Sequence, residues 1–312
     1  MVSLCAKGVA RRNSFVAVAR APASLEAGPA MDTCAPSTRA VEIRAMTYQR
    51  CFATIGCPEF SLEEVLALAV KHGVAGVELR TLGGAMDLPG YLAAQYGSPA
   101  ALAKKLQGHS VRIVGLSTSA HLAGGTDAER AALLEFLPWA EALGVPWLRV
   151  FDGKAPLTAT EAMAGAVDTL RWWRTVRRER GVRADLMVET HDTLLTASAI
   201  LKLLTLAPGT AILWDTHHTW RKGGEDPVAT WRAIRGSVVH LHVKDSSSVP
   251  GPKHPYTFVL PGAGEFPMAA LRAALQADNF TAGVSLEWEK LWHKDLPPLE
   301  EALTAAGGRN WW

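Results

Sequence analysis

The segment Ala211–Trp220, AILWDTHHTW, stops being apolar abruptly: Trp214 is followed by Asp215, His217 and His218. An apolar run this short, ending in ligand-type side chains, reads as a strand buried on both faces that delivers chemistry at its carboxyl end. Three other segments have the same shape. ADLMVETHD carries Glu189, VVHLHVKD carries His242 and AGVSLEWE carries Glu287. Three carboxylates and an imidazole form a mixed oxygen and nitrogen set that suits manganese, magnesium, cobalt or zinc rather than a thiolate site. The reading is a divalent-metal enzyme with Glu189, Asp215, His242 and Glu287 as the ligands.

From residue 50 onward, strand-like and helix-like patterns alternate. CFATIGCPEF gives a strand and loop. SLEEVLALAVKHG is an amphipathic helix opened by Ser61 and Glu64, a capping box. GVAGVELR, VRIVGLSTSAHL and VPWLRVFDG read as the second to fourth strands, with helices over about 97–109, within TDAERAALLEFLPWAEALG and within 158–181. The four ligand-bearing strands follow, separated by helices near 194–206 and 226–235 and within FPMAALRAALQADN. A longer loop rich in glycine and proline trails SVVHLHVKDSS, and a last helix begins near Pro297. Eight strand–helix units in strict alternation predict a single (β/α)8 TIM barrel over residues 46–312, a fold of roughly 250 residues whose active site lies at the carboxyl ends of its strands.

Strand periodicity places Met187, Glu189 and His191 on one face, likewise His240, His242 and Lys244, and Ser285, Glu287 and Glu289, so the ligands converge on the barrel axis. Glu78, Arg80 and Arg149 also fall inside strands, and ion pairing across the barrel is expected of them, because a buried charge without a partner is costly. His217, His240 and His254 read as structural histidines. His191 reads as either a partner orienting a ligand or a loop residue, and His121 as pocket lining. Trp214, Trp231, Trp288 and Trp292 are expected as core or as sugar-stacking walls.

The net charge of +2 offers no basic surface for nucleic acid, and no apolar segment reaches the ~20 residues needed to span a membrane. Four cysteines without a CxxC pair, all in the first fifth of the chain, suit a reducing cytoplasm. Residues 1–45, rich in arginine, alanine and serine and without periodicity, read as a disordered or targeting-like tail.

The motifs GVAGVELR, VETHD, WDTHH, HLHVKD, PGAGEF and SLEWEKLWH, in this order, resemble those of the sugar phosphate isomerase/epimerase superfamily of xylose isomerase-like barrels. The resemblance covers about residues 50–306. It implies a metal held by Glu189, Asp215, His242 and Glu287, with Glu189 and Glu287 doubling as acid/base groups. It also implies substrate contacts from His218 and Lys244; beside them, His191 and His121 are the further substrate-binding candidates from the residues themselves. The implied reaction is isomerisation or epimerisation of a sugar or sugar phosphate by proton transfer beside a carbonyl, through a metal-stabilised enediolate. His191 and Asp192 stand where some ketose epimerases carry a second glutamate, a departure from the 3-epimerase pattern. Dehydration of an inosose or hydroxy acid at the same site is the alternative. An apurinic endonuclease-like activity lacks the further ligands and basic surface it needs. The expected partner is a small carbohydrate, with neither nucleic acid nor membrane, and self-association into a homo-oligomer is compatible with the composition.

Overall fold

The computed structural model describes residues 47–153 and 160–312, so the tail expected over 1–45 lies outside the described residues. Eight parallel strands close into a barrel. They are β1 (Gln49–Ala53), β2 (Gly76–Leu79), β3 (Arg112–Ala123), β4 (Trp147–Gly153), β5 (Asp185–Glu189), β6 (Ala211–Asp215), β7 (Val238–Val243) and β10 (Gly283–Leu286). Their order around the barrel is β1-β10-β7-β6-β5-β4-β3-β2, as sequential parallel strands with helical crossovers require.

The helices form the outer layer: α1 (Leu62–Lys71), α2 (Leu88–Tyr96), α3 (Pro99–Lys105), α4 (Asp127–Leu143) and α5 (Thr160–Arg180), then α6 (Ala197–Leu206), α7 (Thr216–Arg221), α8 (Pro227–Ile234), α9 (Met268–Ala277) and α10 (Leu299–Gly308). The Ser61–Glu64 capping box forms as the sequence predicts. Between the barrel wall and this layer lies one apolar core that takes in Trp173, Trp214, Trp231 and Trp288. Of the four tryptophans singled out above, only Trp292 is strongly exposed.

Two segments differ from the sequence reading. The helix expected over 97–109 is the shorter α3, and a separate helix, α2, precedes it in a stretch not assigned to a helix above; Asp87 and Ser98 each cap a start followed by proline, and Gly97 between them takes a positive φ of 73°. The glycine- and proline-rich stretch after β7 contains an antiparallel pair, β8 (Asp245–Ser247) with β9 (Thr257–Val259). Asp245 then gathers the PGAGEF segment: its carboxylate accepts the N–H groups of Gly262 (2.8 Å), Gly264 (3.0 Å) and Phe266 (3.0 Å). A Cβ on Gly264 would lie 2.3 Å from Asp245 Oδ1, so only glycine allows this approach. These amides are spent on a protein carboxylate rather than presented to a phosphate.

Asp152, at the end of β4, organises the loop after β5 in the same way. Its carboxylate accepts the N–H groups of His191, Asp192, Thr193 and Leu194 at 2.7–3.2 Å. Asp152→Ala is therefore expected to cost on the order of 2 kcal/mol or more and to speed amide hydrogen exchange at residues 191–194, as followed by mass spectrometry. Unchanged exchange there would show that the loop is held by other contacts.

Candidate metal centre

At the carboxyl end of the barrel, Glu189 (β5), Asp215 (β6), His242 (β7) and Glu287 (just after β10) each offer a ligand atom, all within 4.8 Å of one another, and all four residues are buried. The strand ladder produces this convergence: Asp215 is paired with His242 in the β6–β7 register, and β10 follows β7 around the barrel.

Asp215 and His242 each have one side committed outside the cluster. Asp215 Oδ1 caps α7, accepting the N–H groups of His217 (3.0 Å) and His218 (2.9 Å), which leaves Oδ2 for the site. Oδ2 receives no aligned hydrogen bond, although Lys244 Nζ stands 2.8 Å away. Glu189 Oε2 is likewise without one, with Arg149 Nε at 3.3 Å. His242 points Nε2 at Glu78 Oε2 (2.8 Å) and Nδ1 at Glu189 Oε1 (3.2 Å) and Glu287 Oε1 (3.1 Å). A carboxylate only accepts, so Nε2 carries a proton toward Glu78 and Nδ1 faces the ligand cluster.

Burial disfavours charge throughout, and the neighbours decide which groups keep it. Burial lifts Asp215 to about 6 against the pull of Lys244. Glu287 stays well below the ordinary carboxylate range despite burial, because the positive charges of His242 and Lys244 outweigh it. His242 is pushed well above its usual value, burial being overcome by Glu287 and Glu78, and Lys244 is raised as well, chiefly by Asp215. The contacts behind these shifts are direct: His242 lies against Glu78, Glu189 and Glu287, and Lys244 against Asp215, Glu287 and Glu289.

These contacts test the fit to a divalent cation. Two buried carboxylate oxygens, Asp215 Oδ2 and Glu189 Oε2, lack aligned donors, and the one imidazole of the set turns Nδ1 toward the other Glu189 oxygen and Glu287. The donor set is oxygen with a single imidazole nitrogen, which suits the divalent ions named above.

The remaining site residues are placed as follows. His218 Nδ1 lies 3.1 Å from the Thr190 carbonyl, and burial keeps its imidazole neutral. Its ring meets His191 edge-on at 4.8 Å; His191 meets Phe151 at 4.8 Å, and Phe151 stacks with His121 at 5.4 Å, giving an aromatic row. His191 pairs with Asp192 (2.8 Å) and His121 with Glu129 (2.8 Å). Lys244 is buried among three acids.

The sequence reading missed what His240 and Glu78 do. Glu78 pairs across the barrel as expected, but with histidines: His242 and, at 3.2 Å, His240, whose Nε2 is also 2.8 Å from Ser285 Oγ. Its other oxygen accepts from Ser117. The glutamate in GVELR and the doublet HLH were the signal, since i, i+2 residues of a barrel strand share the interior face. With Glu78 committed, Arg80 is not its ion-pair partner and instead donates to Ser119 Oγ (2.9 Å).

The profile of the xylose isomerase-like TIM barrel family matches residues 66–308. The chain belongs to the xylose isomerase-like TIM barrels. Solved structures agree in fold. The probable 3-DHS dehydratase AsbF of Bacillus anthracis superposes with a TM-score of 0.68 at 19% identity, covering 84% of this chain and all of that one. The IolI protein, solved with a bound zinc atom, gives 0.65 at 21% identity over 84% and 96% of the two chains. The 3-keto-D-glucoside 4-epimerase YcjR of E. coli gives 0.63 at 13% identity over 84% and 99%. No curated protein sequence matches the chain. Among the described residues, no helix is long and apolar enough to cross a membrane.

Within this xylose isomerase-like barrel, Glu78 is placed to fix the ring of His242 from behind. Glu78→Gln should weaken manganese binding by about ten- to a hundredfold, the range found for groups that orient a ligand, as measured by competition with a chelating dye. Affinity equal to wild type would show that packing alone holds the imidazole.

Proposed function

We propose that this barrel holds one divalent cation through Glu189, Asp215, His242 and Glu287 and is a sugar or sugar phosphate isomerase or epimerase. The observation that carries this reading is the convergence of four buried ligand atoms within 4.8 Å, two of the carboxylates having an oxygen without an aligned donor. A bound cation would act as a Lewis acid, stabilising negative charge on a substrate carbonyl oxygen.

The protein's own groups do the rest. Glu189 and Glu287 stand on strands separated around the barrel, one on either side of His242, so one carboxylate can take a proton beside the carbonyl while the other returns it to the opposite face or the neighbouring carbon. Arg149 steadies Glu189 as a carboxylate, and Lys244 does so for Glu287. His218, neutral and oriented by Thr190, offers a ring nitrogen for a hydroxyl, and the row His121–Phe151–His191 offers aromatic faces for sugar carbons. The sugar epimerase among the structural neighbours supports a carbohydrate substrate, and the zinc-bound one supports a metal. Manganese is the ion we would supply first. The free, buried thiols Cys51 and Cys57 suit a reducing, cytoplasmic setting.

A dehydratase reading is favoured by one feature. The buried Lys244 side chain, in contact with Glu287 and Glu289, is placed to hydrogen-bond a departing hydroxyl. Product mass separates the two: unchanged for an isomerase, lower by one water for a dehydratase.

The test is a mass-resolved screen of ketoses, inososes and hydroxy acids with manganese in deuterated water. Substrate conversion is expected to introduce solvent deuterium. Glu189→Gln and Glu287→Gln should lower turnover by about a hundred- to ten-thousandfold while retaining part of the metal, and Asp215→Asn should lower metal content itself. Unlabelled product together with normal turnover in both glutamine variants would refute the two-glutamate mechanism.

A further inference from the structure

Among the described residues, three lysine or arginine side chains are buried: Arg80, Arg149 and Lys244. Two of them are matched by acids, Arg149 by Glu189 and Lys244 by Asp215, Glu287 and Glu289. Arg80, 4% exposed, makes no ion pair within 4.0 Å. Its guanidinium donates to Ser119 Oγ through one terminal nitrogen, and the other, also buried, has no hydrogen-bond partner. The acid beside it in sequence, Glu78, is fully engaged by Ser117, His240 and His242.

The direction of the side chain follows from its neighbours. Glu78 and Arg80 are two residues apart on one chain segment, as are their partners Ser117 and Ser119 on β3. Glu78 reaches His242 across the barrel, so this face is the interior, and Arg80 with Ser119 forms the next layer toward the mouth. The backbone N–H of Arg80 donates to Thr54 Oγ1 (2.8 Å), which pins the start of that layer. The layer Arg80 shares with Ser119 is the next one along from that in which Glu78 meets His242; burial and Arg149 work against its charge, and Glu189 and Glu287 favour it.

A buried guanidinium with an idle nitrogen is unfavourable in the isolated chain, and the missing partner is an acceptor that arrives from outside. Glu189 and Glu287 do not fill this role once they hold a cation. The planar fork of arginine matches a carboxylate or a phosphate.

We propose that Arg80 receives the anionic group of the substrate, so that this barrel acts on an acidic sugar or related hydroxy compound, a carboxylate or a phosphate ester, rather than on a neutral sugar. The inference rests on the metal-centred reading above, which supplies the reacting end of the molecule; Arg80 anchors the other.

Manganese-loaded protein is titrated calorimetrically with D-glucose, D-glucuronate and D-glucose 6-phosphate, with metal content measured on the same samples. One of the anionic sugars is expected to bind at least about tenfold more tightly than glucose, the scale of one charged hydrogen bond, and which one does so distinguishes carboxylate from phosphate. Arg80→Met should abolish the preference without changing metal content. Arg80→Lys, which keeps the charge but not the fork, should retain part of it. In sugar-free buffer, Arg80→Met should melt no lower than wild type, since a buried charge without a counterion has been removed. Wild-type protein without the preference, a preference that survives in Arg80→Met, or a large fall in melting temperature on that substitution would each overturn the proposal. Metal content near zero in wild type would instead refute the metal-centred reading, while the comparison of charged with neutral sugar still reports on Arg80.

Discussion

The structure turns on charge placed where water cannot solvate it. Closing eight strands into a barrel sends every second side chain inward, and in this chain many of the inward positions near the carboxyl end are ionisable. Glu78, Glu189, Asp215 and Glu287 are all buried, so positive charge must be brought among them. His242, touching three of the four, and Lys244, touching two, are the groups placed to supply it. Glu189, Asp215, His242 and Glu287 would hold a divalent cation, whose charge would offset those of the buried carboxylates.

The same constraint explains the scaffolding. Each acidic ligand must spend part of its hydrogen-bonding capacity on the protein to be held in place and keep the rest for the site. Asp215 does so by dividing its two oxygens between the start of α7 and the centre. Asp152 and Asp245, which are not in the cluster, use their carboxylates on loop amides and fix the segments that carry His191 and the wall after β8. The carboxyl end of the barrel is therefore shaped by acids of two kinds, those that bind backbone and those left with free oxygens.

Much of this was legible in the sequence because it follows from periodicity. Apolar runs ending in a ligand marked the strands and Asp215, and parity placed Glu189, His242 and Glu287 on inward faces. What parity could not give was partner choice. Glu78 and Arg80 share a face and carry opposite charge, yet Glu78 turns to His240 and His242, a preference set by which strands oppose each other across the closed barrel. Local chemistry was also partly hidden. The Asp87 cap opens α2 ahead of the expected helix, which shortens to α3, and the glycines of PGAGEF close on the Asp245 carboxylate. Lys244, which the resemblance implied as a substrate contact, lies among Asp215, Glu287 and Glu289, acids supplied by β6 and by the segment after β10.

The central claim is that one cation is held by three carboxylates and a single imidazole through Nδ1. Pulsed electron paramagnetic resonance on protein loaded with one equivalent of manganese reads this directly, because a coordinated imidazole nitrogen modulates the electron spin echo. The account predicts modulation from one directly bound nitrogen, lost in His242→Ala and retained in His240→Ala and His218→Ala. Modulation from two nitrogens, from none, or surviving in His242→Ala would contradict it.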